Sequence, residues 1–128
     1  MRALLDTHAF LWWIEDNPRL SLQAREIIGD AGNEIYLSAI SGLEIVIKAR
    51  LGRIKLPEDP VNFILEQVAV NAFRVLPIYL RHALYVYTLP LIHRDPFDRI
   101  LIAQSQLEDM PLITADSVIE RYPVKVIW

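Results

Sequence analysis

Residues 3–8 read Ala3-Leu4-Leu5-Asp6-Thr7-His8, an apolar run cut off by an acid. The run is continuously apolar rather than alternating, as a strand buried on both faces requires. A helical pattern over about 8–15 follows it. The same order recurs outward along the chain. Ser21 is placed to cap a helix reaching about residue 30, which ends near Gly29 and Gly32. Ile35-Tyr36-Leu37 forms a second strand candidate before helical spacing over 41–51, which stops at Gly52. Pro60 stands near the first turn of a helix over 60–70, and Arg74-Val75-Leu76 is a further strand ended by Pro77. A helical stretch over 79–88 comes next. Phe97, Ile100, Leu101, Gln104 and Leu107 then fall on one helix face within 96–108. Pro111-Leu112-Ile113-Thr114 and Val124-Lys125-Val126-Ile127 read as strands around a short helix. Strands alternating with helices predict a three-layer α/β/α domain with a central, mainly parallel sheet of four to five strands.

Composition bounds what such a domain can do. The 128 residues, 53% of them hydrophobic, suffice for one domain over residues 1–128 with its own core. A net charge of -3 with this apolar content excludes a disordered chain. The absence of cysteine excludes disulfides and thiolate zinc sites and fits a reducing compartment. Uncharged stretches such as 35–43 and 82–93 are too short to span a bilayer, so no membrane association is expected. Asp6 breaks the apolar run after Arg2, which argues against a signal peptide and for a cytoplasmic location. Mild acidity also argues against a nucleic-acid binder indifferent to sequence. Lys48, Arg50, Arg53 and Lys55 nonetheless form a local run of cations without an intervening acid. They fit either a solvated helix end or a patch facing phosphates.

In an open parallel sheet, ligands bind beyond the carboxyl ends of the strands. Asp6, Glu44, Asp98 and Asp116 all fall at strand-to-helix junctions or helix starts, with Asp95 beside Asp98. Taken singly, each has a structural explanation. Asp6 or Thr7 can cap the first helix, and Ser41-Gly-Leu-Glu44 matches the capping box. Asp95 before Pro96 is a good N-cap, and Asp98 suits the helix dipole. Thr114 or Asp116 can cap the last helix. If the four acids converge, their mutual repulsion calls for a hard divalent cation, and all-oxygen ligation suits magnesium or manganese. Such a site can activate water against a phosphodiester.

These stretches together resemble the PIN-domain ribonucleases, specifically the VapC-type toxins of toxin–antitoxin pairs. The resemblance rests on Leu4-Leu5-Asp6-Thr7-His8, Leu43-Glu44-Ile45 leading to Lys48, and Gly52-Arg53. It continues through His93-Arg94-Asp95-Pro96-Phe97-Asp98-Arg99, Ala103-Gln104 and Leu112-Ile113-Thr114-Ala115-Asp116, and so covers about residues 2–127. It implies that Asp6, Glu44, Asp98 and Asp116 hold Mg2+ or Mn2+ and carry the hydrolysis of RNA, with tRNA or rRNA as the substrate class. Thr7, Asp95 and Thr114 are then expected to orient the acids, and Lys48, Arg50 and Arg53 to contact the RNA backbone. It further implies a cognate antitoxin protein and a homodimer. One departure is Leu43, where many such toxins carry Trp; altered packing near Glu44 is expected, with no ligand lost.

Trp12 and Trp13 are adjacent on a helix, so one core and one half-exposed indole are expected, or an interface anchor. Tyr85 and Tyr87 are expected in core or dimer packing. His8, His82 and His93 lack a Ser or Cys nucleophile around them and are expected to pack or hydrogen-bond, His93 being the one nearest the acidic run. Three other readings compete with the nuclease. A receiver-type phosphoacceptor needs an acidic pair after the first strand and a late Lys, where this chain has Asp6-Thr7-His8 and Asp116. A haloacid-dehalogenase-like phosphatase needs Asp-x-Asp at the same place. A catalytically silent RNA- or antitoxin-binding domain would share every feature except cleavage.

Overall fold

The computed structural model describes residues 1–128. Five strands, β1 (Arg2–Leu5), β2 (Glu34–Ser38), β3 (Arg74–Leu76), β4 (Leu112–Ile113) and β5 (Val126–Ile127), form one sheet in the order β3-β2-β1-β4-β5. Every pairing is parallel, with Leu5 opposite Leu37 on one side and Ile113 on the other. Alternate side chains point to opposite faces. Ala3, Leu5, Ile35, Leu37, Ile113 and Ile127 therefore join one buried cluster, while Leu4 and Leu112 join a second.

Helices cover both clusters. On the first face lie α1 (Thr7–Ile14) and α2 (Leu22–Gly29), through Phe10, Leu11, Ala24 and Ile28. Ile64 and Val68 of α4 (Pro60–Val70) pack at its margin. On the second face lies α6 (Pro96–Leu107), through Leu101, Ile102 and Ala103, with Tyr85 of α5 (Leu80–Tyr85) against it. The helix α3 (Ala39–Arg50) contributes Ile45 to the first cluster and Ile40 to the second. The three layers match the expectation from the sequence, and the sheet reaches its upper strand number.

The helix starts follow local chemistry, with one difference. Asp6, Ser21, Asp59 and Asp95 accept from backbone N–H groups in the first turns of α1, α2, α4 and α6. The capping box expected at Ser41–Glu44 does not form, because Ser38 caps the helix earlier, accepting from Ile40 N–H at 3.1 Å. Glu44 is thereby carried out of the first turn and into the second. The stretch expected as one helix over 79–88 divides into α5 and a 3₁₀ turn at Val86–Thr88. The short helix between β4 and β5 is a single 3₁₀ turn at Ile119–Arg121, capped by neither Thr114 nor Asp116. No helix is long and apolar enough to cross a membrane.

The buried face of α6 is also wider than its apolar spacing suggests. Leu107 is exposed, whereas Arg99 is buried. Its guanidinium donates to the carbonyls of Pro90 (2.8 Å), Val86 (3.0 Å), Leu89 (3.3 Å) and His93 (3.3 Å) and to the Tyr122 hydroxyl (3.3 Å). One cation thus ties the segment 86–93 to α6. Arg99→Met leaves several acceptors without a donor and is expected to cost about 2–4 kcal/mol. Arg99→Lys, lacking the planar fork, should recover only part of that loss. Urea unfolding of both variants checks this; an Arg99→Met midpoint equal to wild type would remove the clamp from the account.

Candidate metal centre

The strand order reverses at β1: β2 and β3 lie to one side, β4 and β5 to the other. The carboxyl ends of β1 and β4 therefore bound the crevice at which open α/β sheets bind ligands. Asp6 leaves β1 there and Asp116 follows β4. A hydrogen bond spans the crevice, the Thr114 hydroxyl donating to Asp6 Oδ2 at 2.5 Å, and Asp6 N–H donates to the Ile113 carbonyl at 3.1 Å. Asp6 Oδ1 accepts from Ala9 N–H at 2.6 Å, so its capping role and its place in the site coexist.

Each remaining acid is likewise held. Thr7 donates to Glu44 Oε1 at 2.7 Å, and Lys48 Nζ sits 2.5 Å from Glu44 Oε2 one turn along α3. Asp116 Oδ1 accepts from Val118 N–H at 2.8 Å, while its own N–H donates to Thr114 Oγ1 at 3.0 Å. Asp98 stands in the first turn of α6, three residues after the capping Asp95. His93 joins them: its Nε2 lies 3.0 Å from Asp98 Oδ2 and 3.2 Å from Asp116 Oδ2. Ligand atoms of His93, Asp98 and Asp116 all lie within 4.8 Å of one another, a spacing that a single divalent ion can bridge.

The acids also act on one another. The Asp98 carboxyl is pushed up to about 7, first by burial and then by the charge of Asp95; His93 opposes the rise, and Glu44 and Asp6 add to it. Asp6 is raised by burial foremost, with a smaller contribution from Asp116. Asp6, Glu44, Asp98 and Asp116 are thus within electrostatic reach at one end of the sheet. This crowding of hard oxygen donors, with one imidazole, fits a divalent cation, which would relieve the repulsion.

Several residues singled out in the sequence take a different place. Lys48 is turned inward onto Glu44, whereas Arg50 and Arg53 are exposed. Arg50 lies about 9 Å beyond Glu44 along the axis of α3 at helical rise. Leu43 faces outward, 47% exposed, instead of packing beside Glu44. Trp12 and Trp13 are both half-buried, Trp13 donating to Asn71 Oδ1 at 2.9 Å. Tyr85 donates to Gln106 at 2.7 Å, but Tyr87 is 95% exposed and takes no part in the core. His82 is fully buried, with Glu108 at its Nε2 and Tyr79 N–H on its Nδ1. The residue that the spacing of acids understated is His93; its position directly before Arg94-Asp95 was the only signal of it. The largest cavity, about 580 Å³, lies at the opposite end of the strands, where Glu34 and Arg74 pair with each other at 3.3 Å.

The raised carboxyls set the pH dependence of the metal-free protein. Because Asp98 binds its proton more tightly folded than unfolded, its contribution to stability is full below about pH 3.8 and is lost as pH rises through about 7. Asp6 adds in the same direction. Melting temperature in EDTA should therefore fall between pH 5 and 8, and Asp98→Asn should flatten that fall. Manganese should raise the melting temperature more at pH 8 than at pH 6, since it competes with protons. An unchanged slope in Asp98→Asn would show that Asp98 does not set it.

Comparison with known proteins agrees with this geometry. The PIN domain family model matches residues 3–125. Ribonuclease VapC22 of Mycobacterium tuberculosis is 34% identical over 115 residues, which cover 89% of this chain and 86% of that protein. The fold is shared with VapBC2 from Rickettsia felis, solved bound to a DNA fragment from its promoter, at a TM-score of 0.66 and 17% identity, covering 99% and 98% of the two chains. It is shared equally with FitAcB from Neisseria gonorrhoeae, at a TM-score of 0.62 and 21% identity, covering 100% and 97%. The chain belongs to the PIN-domain family and is homologous to the VapC-type toxins of type II toxin–antitoxin systems.

Proposed function

We propose that this protein is a Mg2+- or Mn2+-dependent endoribonuclease and the toxin of a toxin–antitoxin pair, with tRNA or rRNA as its substrate class. The observation that carries this is the meeting of His93, Asp98 and Asp116 beside Asp6 at the β1–β4 crevice. Asp6, Glu44, Asp98 and Asp116 would hold the ion. A divalent cation there supplies Lewis-acid stabilisation of charge developing on the phosphoryl oxygens and makes water more acidic. Thr114 and Ala9 N–H fix the Asp6 carboxylate, and Thr7 with Lys48 fixes Glu44, so that one lone pair of each oxygen is oriented in advance. His93 Nε2, held between the Asp98 and Asp116 carboxylates, would be the nitrogen in this cluster that can take up a proton in general-base catalysis. Without the cation, the same acids repel an RNA phosphate.

A receiver-type phosphoacceptor role gains no support here, because Pro77-Ile78-Tyr79 rather than an acceptor Asp follows β3, and the late position after β4 is Asp116 rather than Lys. Purified protein with Mg2+ or Mn2+ should cut total cellular RNA into discrete fragments, and EDTA should stop it. Asp98→Asn should lower the rate by more than the roughly 10- to 100-fold typical of losing a partner that merely supports a ligand. Intact RNA from folded, antitoxin-free protein would favour the binding-only alternative.

A cytoplasmic location, a cognate antitoxin and a homodimer complete the proposal. Leu80, Leu84, Tyr87 and Leu91 are each more than 60% exposed along and after α5, which supports an apolar partner surface. Leu84→Glu should convert a dimer to a monomer in sedimentation velocity; a wild-type monomer at tens of micromolar would remove the dimer from the proposal.

A further inference from the structure

Beside the acids lies a smaller cavity of about 300 Å³, at the lower end of the range for ligand pockets. Asp6 and Asp116 form one wall; His8, Trp12, Arg19 and Ala115 form the rest. Its aromatic rings are arranged as a platform. The His8 and Trp12 rings lie 5.7 Å apart at 36°, and Trp128 backs Trp12 at 5.8 Å and 60°. The Arg19 guanidinium stands 5.9 Å from the centroid of the Trp12 ring. His8 and Arg19 are exposed, and Trp12 is half-buried against the first core cluster, so the platform is rigid on one side and open on the other.

We propose that Trp12, His8 and Arg19 form a subsite for one unpaired base of a single-stranded RNA, next to the phosphate that is cut. The proposal rests on the nuclease reading and names how substrate is gripped. Three features carry it. Aromatic faces stack any nucleobase, and a neutral base, unlike a phosphate, tolerates the nearby carboxylates of Asp6 and Asp116. Arg19 supplies a cation at the rim for the backbone of the same nucleotide, in an otherwise acidic site. The shared wall sets the base directly beside the metal centre, so stacking a nucleotide here fixes which neighbouring bond reaches the acids. A peptide cation is the rival occupant, and Arg19, its guanidinium 5.9 Å from the Trp12 centroid at the rim, repels a second cation there while leaving a neutral base unopposed.

The test uses the Asp98→Asn background, which binds without cutting, and a fluorescein-labelled RNA hexanucleotide read by anisotropy. Trp12→Ala should weaken binding about tenfold or more, as loss of a stacking side chain does, while Trp12→Phe stays within about threefold. A hexamer with a single abasic position, moved along the strand, should show one position whose loss matches Trp12→Ala and is not additive with it. Arg19→Gln should weaken binding and reduce its salt dependence. In the Asp98-intact protein, Trp12→Ala should raise KM for RNA and leave the manganese-induced rise in melting temperature unchanged. Equal hexamer affinity for Trp12→Ala and Trp12→Phe, or an abasic effect that adds fully to Trp12→Ala, would overturn the subsite. If wild type still cuts RNA in that case, the nuclease reading stands without it. Loss of antitoxin binding alone would assign the pocket to the protein partner and overturn the proposal equally.

Discussion

Bringing Asp6, Glu44, Asp98 and Asp116 to one end of a sheet opposes folding, since burial and like charge both disfavour the ionised forms. The surroundings of the site are the means by which the chain tolerates this. Asp6 caps α1, and Asp98 sits in the first turn of α6, where helix dipoles favour negative charge. Threonines bridge elements rather than filling the core: Thr114 joins β4 to Asp6, and Thr7 joins α1 to Glu44. Lys48 and His93 place positive or protonatable nitrogen among the acids. What remains uncompensated is the affinity for a cation.

Asp6 and Asp98 therefore stand both at helix starts and among the clustered acids. Weighing caps against ligands as alternatives, as isolated motifs invite, separates roles that the fold combines. Asp6 illustrates it: one oxygen receives the N–H of the third helical residue and the other a hydroxyl from across the crevice. A cap fixes its carboxylate relative to a backbone, which is the rigidity a metal ligand needs.

Most of the architecture was legible because it depends on short-range patterns. Continuously apolar runs marked β1, β2 and β4, and Ser21, Asp95 and Pro96 marked helix starts that the structure keeps. Ser41-Gly-Leu-Glu44 misled because the pattern ignores a competing hydroxyl three residues earlier, Ser38, which reaches the free N–H groups first. The inward turn of Lys48, the burial of Arg99 and the seat of His93 between two carboxylates were not legible. Arg99 and His93 depend on partners far along the chain or on carbonyls of a loop whose path no periodicity encodes, whereas Lys48 turns onto Glu44, one helical turn away, because the fold buries that acid. Arg99 is the clearest case: its charge argues for the surface, and only five acceptors arriving from 86–93 and Tyr122 make its burial favourable.

The central place of β1 in the sheet has a consequence for the timing of assembly. β1, the earliest of the five strands in chain order, needs β4 as one of its two neighbours, and Asp6 meets Thr114, which is 108 positions further along the sequence. On a ribosome, the amino-terminal half can gather its helices against β1, β2 and β3, yet the crevice has only one wall until residues 112–127 emerge. Chemistry that depends on both walls is thereby withheld from the nascent chain until residues 112–127 have joined the sheet, and any partner that reads the finished crevice meets it only then.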